Sequence, residues 1–300
     1  MRALVAVPSV AMAALLVLTG CSQTPPNTEH GTLNVVASTD VWGSVAATVV
    51  GNHATVTSIV NGTVEDPHSF EASPAQVAQI ADASLVVYNG DHYDHWMDDV
   101  LENSHDIPAI AAASLSPDQP PANEHRFYDL PTVKIVAENI ADTLGKNDAE
   151  HAADYTANAD KFGAALDTLI LAQHGIGQAH PGASVVSTEP VAFYALRNAG
   201  IADKTPPSFA NAVEEGGDPS PADLATVLDL IGKREVSAVV VNSQTAGPVT
   251  QQLSEAARRA VVPVVTVTET LPEGMDYLQW QRKVVDDMAA ALDSPPPPSR

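Results

Sequence analysis

Ten histidines and 37 acidic residues stand against one cysteine in this 300-residue chain. Imidazole and carboxylate are therefore the donors it has to offer a metal ion. Together they suit a divalent transition metal, and carboxylates tilt the preference towards harder ions such as manganese. The lone thiol, Cys21, excludes an internal disulfide and a multi-cysteine zinc or iron–sulfur site. Position narrows the field. Open α/β sheets bind ligands beyond the carboxyl ends of their strands, so the polar residues directly after each apolar β-rich run carry weight. Glu189 follows the run 183–188, Asn242-Ser243-Gln244 follows 236–241, and Glu269 follows 262–268. In the N-terminal half, the run 56–60 leads through Asn61-Gly62 to Asp66-Pro67-His68. His68, Glu189 and Glu269 thus converge with one further partner from the N-terminal half. A hydrogen-bonded surface role is the plain alternative for any single histidine, and helix N-terminal capping is the alternative for Glu189 and Glu269.

The elements that must position these residues are short. Strands are predicted at 33–38, 56–60, 85–88, 183–188, 236–241 and 262–268. Their continuous Val/Ile/Ala character, without strict alternation, predicts strands buried on both faces of a parallel sheet. Helices are predicted between them, at 74–83 and at 221–232; Asp218-Pro219-Ser220-Pro221 announces the second with a cap and a first-turn proline. The middle lacks strands. A helix over 132–144 is followed by a longer one of roughly 25 residues, opened by Asn147 with Glu150 as a capping-box variant and stopped by the glycine of His174-Gly175. The expected fold is α/β, with two lobes, each a mostly parallel sheet flanked by helices, joined by one long connector helix. The N-terminal lobe is placed at 32–130, the helical connector at 131–182 and the C-terminal lobe at 183–293.

The chain begins with Arg2, an apolar stretch over 3–18 and then Leu18-Thr19-Gly20-Cys21, the pattern of an export signal. The stretch is interrupted by Pro8 and falls short of the roughly 20 residues that a membrane-spanning helix needs. Leu18-Thr19-Gly20-Cys21 resembles the lipobox of bacterial lipoproteins. That resemblance implies a signal peptide at 1–20, cleavage before Cys21, lipidation of its sulfur, and a polar tether over 21–31. Two acyl chains give a stable anchor where one is marginal. Residues 294–300 read as a Pro-rich tail. A net charge of −23 argues against nucleic acid and anionic lipid surfaces as partners and suits a protein that attracts cations.

Four ordered motifs carry a family resemblance. Asp66-Pro67-His68, followed by Ala81-Asp82 and Asn89-Gly90, resembles the first signature of the cluster A-I metal receptors of bacterial zinc/manganese ABC importers. Asn123-Glu124-His125-Arg126-Phe127-Tyr128-Asp129 resembles the second, with Glu124 where proline is usual and Phe127 where tryptophan is usual. Thr188-Glu189 and Thr268-Glu269 resemble the third and fourth, with Glu269 where aspartate is common. The resemblance implies metal ligands at His68, His125, Glu189 and Glu269. It also implies Zn2+ or Mn2+ as the bound ion, zinc favoured. The implied protein is a monomer, lipid-anchored on the outer face of the cytoplasmic membrane, that hands its ion to an ABC permease driven by an ATPase. The stretch between the two histidines lacks the long histidine-rich loop common in zinc members, and His92, His95 and His105 are left without an assigned role. An enzyme is not expected: four protein ligands leave no position for a catalytic water, where hydrolytic zinc sites use three. A secreted metallohydrolase or an adhesin on the same fold are the alternatives.

Overall fold

The computed structural model describes residues 33–62, 67–104, 106–117, 123–245 and 247–294. The signal peptide, the tether with Cys21, Asp66, His105 and the tail after residue 294 lie outside the described residues. Two four-stranded sheets organise the rest. In the first, β1 (Leu33–Thr39), β2 (Ala54–Val60), β3 (Leu85–Tyr88) and β4 (Ala109–Ala111) stand in the order β2-β1-β3-β4. All pairs are parallel, with Val35 of β1 in register with Val56 on one side and Leu85 on the other. Helices α1 (Asp40–Val50), α2 (Pro74–Ala81), α3 (His95–Glu102) and the single turn α4 (Ala112–Leu115) link them.

The chain then runs through α5 (Leu130–Asn147) and α6 (Ala152–Ala179) into the second sheet. There β5 (Ser184–Ser187), α7 (Phe193–Ala199), β6 (Ala202–Asp203), α8 (Pro207–Glu214), α9 (Pro221–Gly232), β7 (Ala238–Asn242), α10 (Pro248–Ala260), β8 (Val264–Val267) and α11 (Tyr277–Asp293) follow in order. The strand order is β6-β5-β7-β8, again parallel throughout. This is the two-lobed α/β architecture that the sequence predicts. The strands β4 and β6 are additions: at three and two residues, neither has enough length to show a pattern. Double-sided burial holds for β3, β5 and β7, every residue of which is buried. It fails at β8, an edge strand whose Val264 and Thr266 face outwards.

The connector differs from its expected form in two ways. Asn147 ends α5, and α6 starts after His151, whose side chain makes no capping bond. Gly175 does not stop the helix, which continues through Gly177 to Ala179. Its buried face explains the persistence: Tyr155, Ala159, Phe162, Leu166, Leu169 and Ile176 form one apolar stripe along its length, with buried Gln173 in the same row. Gly177 sits where the backbone of α7 comes close. A Cβ there would lie 1.8 Å from the Ala199 carbonyl oxygen.

One hydrophobic core runs from Val35 and Leu85 of the first sheet, through α5, α6 and α11, to Val185, Val240 and Val265 of the second. The outer faces carry their own clusters, Val36 and Val86 with Trp96 and Met97 in one lobe, and Val186 and Val239 with Ile231 and Leu253 in the other. Among the described residues no helix is long and apolar enough to cross a membrane.

Candidate metal centre

In each sheet the crossovers reverse direction at a switch point, between β1 and β3 in one and between β5 and β7 in the other. Crevices beyond the strand ends at such points are where open α/β sheets hold ligands. Asn89 follows β3. Its backbone N–H and that of Gly90 donate to the two oxygens of buried Asp94, at 2.8 and 2.7 Å. Its side-chain Nδ2 then donates to the Glu124 carbonyl at 2.7 Å. The Asn89-Gly90 turn therefore holds the segment that presents His125.

His125 is fully buried, and its tautomer follows from its neighbours. Asn123 donates from Nδ2 to the Pro190 carbonyl at 3.1 Å, and its Oδ1 accepts from the His125 backbone N–H at 2.9 Å. Both ends of the amide are thus fixed, so the ring Nδ1, 3.1 Å from the same Oδ1, must be the donor. Nε2 is the ring atom left to face the site. It makes no hydrogen bond and faces Glu214 Oε1 at 3.5 Å and Glu269 Oε2 at 3.7 Å. Orienting a ligand imidazole through its other nitrogen is how metal-binding histidines are held.

His68 lies in the loop between β2 and α2 and is partly exposed. Its Nε2 is 3.1 Å from Glu269 Oε2, and Tyr93 packs edge-on against both histidine rings, at 4.8 and 5.8 Å between centroids. Glu269 follows β8 and is buried. Its backbone is gripped from both lobes: Gln244 Oε1 accepts from its N–H, and Tyr93 donates to its carbonyl at 3.3 Å. One ligand atom from each of His68, His125 and Glu269 lies within 4.8 Å of the others.

Glu189 stands beside this trio, outside that 4.8 Å group. It precedes a short 3-10 turn, Pro190–Ala192, without capping it. Instead, Asn242 Nδ2 donates to Glu189 Oε2 at 2.6 Å and to Glu269 Oε1 at 2.7 Å, bridging the two buried carboxylates. Asn242 is the strand-end residue that the sequence singles out without a role. Its Oδ1 accepts from the Gln244 N–H, which fixes which end of the amide faces the glutamates.

The electrostatics are those of a site short of positive charge. Burial alone would raise the Glu269 carboxyl, but the imidazoles of His125 and His68 hold it well below the usual range. Burial raises Glu189, reinforced by the charge of Glu269 and opposed by Thr245 and Asn242. Glu214 is pushed up to about 7 by burial and by the charges of Glu124 and Glu189, against the pull of His125 and His68. Buried like charges are costly unless paired, and a divalent cation would pair them all at once. The buried Nε2 of His125, without a hydrogen bond, and the crowded carboxylates fit such an ion.

Sequence reasoning does not reach Glu214. It ends α8 in the polar run Glu214-Glu215-Gly216-Gly217-Asp218, which reads as a loop far from any strand end. His92 and His95 are exposed and belong to neither group of clustered donors among the described residues.

Residues 35–291 match the model of the ZnuA family, described as zinc-uptake complex component A, periplasmic. The chain belongs to this family. It is 30% identical over 161 residues to the manganese-binding lipoprotein MntA of Halalkalibacterium halodurans, a match covering 51% of this chain and 53% of that protein. It is 23% identical over 305 residues to the metal ABC transporter substrate-binding lipoprotein ScbA of Streptococcus cristatus, covering 93% and 96%. The chain thus spans about half the length of MntA and nearly all of ScbA. Its fold is similar to that of the laminin-binding protein of Streptococcus agalactiae, described as having adhesin and metal-transporting activity. The TM-score is 0.74 at 22% identity, covering 87% of this chain and 100% of that one. The ZnuA-family membership agrees with the resemblance carried by the four motifs.

Proposed function

We propose that this chain is the extracytoplasmic solute-binding component of a metal ABC importer. It captures a divalent transition metal between its two lobes and delivers it to a membrane permease worked by a cytoplasmic ATPase. The observation that carries the reading is His125 Nε2, a buried ring nitrogen without a hydrogen bond, in one cluster of ligand atoms with His68 and Glu269. His68, His125 and Glu269 are the ligands, with Glu189 as the fourth, drawn in from its place on Asn242. Zinc is favoured over manganese on raw affinity, since it stands higher in the Irving–Williams order. The family description names zinc uptake, and MntA is named for manganese. Family membership favours this binding role over a secreted metallohydrolase, and the adhesin alternative rests on likeness of fold alone. The protein acts as a monomer, anchored through lipidated Cys21 on the outer face of the cytoplasmic membrane, with lobes at 32–130 and 183–293.

The test is thermal unfolding of the metal-stripped protein over residues 22–300, titrated with zinc and then with manganese. Ligand at a thousand times its dissociation constant stabilises by about 4 kcal/mol, a midpoint shift on the order of 10 °C for a chain of this size. The expected result is a shift with zinc that is lost in His68→Ala and in Glu269→Ala. A larger shift with manganese would change the metal and keep the role. No shift with either ion would end the metal-receptor reading.

A further inference from the structure

His68 belongs to a second cluster besides the inner one. One ligand atom from each of His68, Glu124 and Glu214 lies within 4.8 Å of the others. Glu124 Oε2 and Glu214 Oε1 are buried atoms with no hydrogen-bond partner. Independently, the fully buried His125 aims its unpartnered Nε2 at Glu214 Oε1, 3.5 Å away, so the two clusters meet there. A cavity of about 600 Å³ opens beside this cluster. His68 and Glu214 line it together with Glu215, Asp218 and Gln244, whereas His125, Glu189 and Glu269 do not. His68 is therefore the inner ligand that the cavity reaches.

We propose that His68, Glu124 and Glu214 form an outer divalent-cation site, through which an ion coming from the cavity is passed to the inner set by His68, the ligand common to both. This rests on the metal-receptor reading above. The donor chemistry suits a relay. Two carboxylates and one imidazole hold a hard or borderline ion that keeps part of its water, whereas the inner set adds a second imidazole. Acidic Glu215 and Asp218 on the cavity wall raise the local cation concentration, as charged clefts do. Glu214 comes from the second lobe and Glu124 from the first, so the outer site spans the same cleft as the inner one.

The experiment uses the metal-free protein over residues 22–300, with zinc and manganese as probes. Calorimetry counts equivalents, and stopped-flow mixing against a chelating dye gives the rates. One tight and one weaker equivalent are expected in the wild type. Glu214→Gln and Glu124→Gln should each remove the weaker equivalent, and should slow both arrival and departure of the tight ion by roughly tenfold. The two variants lie on different segments, so the same loss in both, with unchanged metal-free melting midpoints, separates the effect from misfolding. A single equivalent in the wild type, or variants with unaltered stoichiometry and rates, overturns the outer site and leaves the receptor standing. So does a Glu214→Gln variant that speeds departure without slowing arrival, which would make Glu214 a ligand of the inner ion. Wild-type protein that binds neither metal overturns both.

Discussion

Asn123 decides which nitrogen of His125 is available to a metal. Held at both ends by backbone groups, it accepts a hydrogen bond from Nδ1 and leaves Nε2 to face the site. Asn123→Ala should therefore weaken zinc binding by about 10- to 100-fold, the usual loss when a ligand histidine's orienting partner is removed. Competition with a chelating dye measures it, and an unaltered affinity would contradict the tautomer argument. Asp94, which anchors the Asn89-Gly90 turn, offers a pH-dependent prediction. Burial, helped by the charge of Asp98, pushes its carboxyl up to about 6, against its bonds from the Asn89 and Gly90 N–H groups. The folded state thus holds this proton at pH values where the unfolded chain has lost it. Stability from Asp94 is then greatest below the unfolded value near 4 and falls as pH rises towards 6. Metal-free wild type should lose melting midpoint relative to Asp94→Asn across that window. A difference that stays flat or widens in favour of the wild type would reverse the sign. At this scale much was legible. His68, Glu189 and Glu269 stand where apolar runs end, and strand ends are where such sheets bind. Glu214 was not legible, because nothing local marks a helix's last residue as facing a crevice built by distant strands.

At the scale of elements, the connector shows what local signals convey and what they miss. Pro221–Gly232 forms as its cap and first-turn proline dictate, with Ser220 accepting from the Asp223 N–H at 3.1 Å. In α6 the glycine signal misleads. A glycine ends a helix when the chain needs a left-handed residue there, but Gly175 lies within a helix that runs on to Ala179, and Gly177 beyond it serves close packing against the Ala199 carbonyl. The apolar stripe through Ile176 outweighs the local preference. Gly177→Ala would force the α6 and α7 backbones apart and should cost about 1–3 kcal/mol, as overpacking does. Denaturant unfolding reads it out. Gly175→Ala, where an added Cβ would meet nothing within 4 Å, should be neutral or stabilising. Equal effects at the two positions would refute the packing account.

For the molecule as a whole, the shared interior sets the expectation. Val35 and Val265, from different sheets, lie in one continuous core together with α5, α6 and α11. The described chain should therefore melt in a single transition, with calorimetric and van't Hoff enthalpies equal. Residues 33–147 expressed alone should remain largely unfolded by circular dichroism. Two separate transitions, or a folded fragment, would mean that each lobe carries a sufficient core of its own.

Hydrogen bonds from opposite lobes also meet around the site. Asp40 accepts from both the Gly62 and the Leu271 N–H, at 2.7 and 3.0 Å. Thr270 donates to the Gly62 carbonyl at 2.9 Å, and Tyr128 to the Thr268 carbonyl at 2.9 Å. In the receptor role proposed above, a protein stitched in this way has little freedom to announce its cargo by a change of outline. What the ion brings in that role is two positive charges, set behind an acidic mouth lined by Glu214, Glu215 and Asp218. A docking membrane protein would then tell laden from unladen copies as an ion-exchange resin does, by potential, and the message would fade as salt is added.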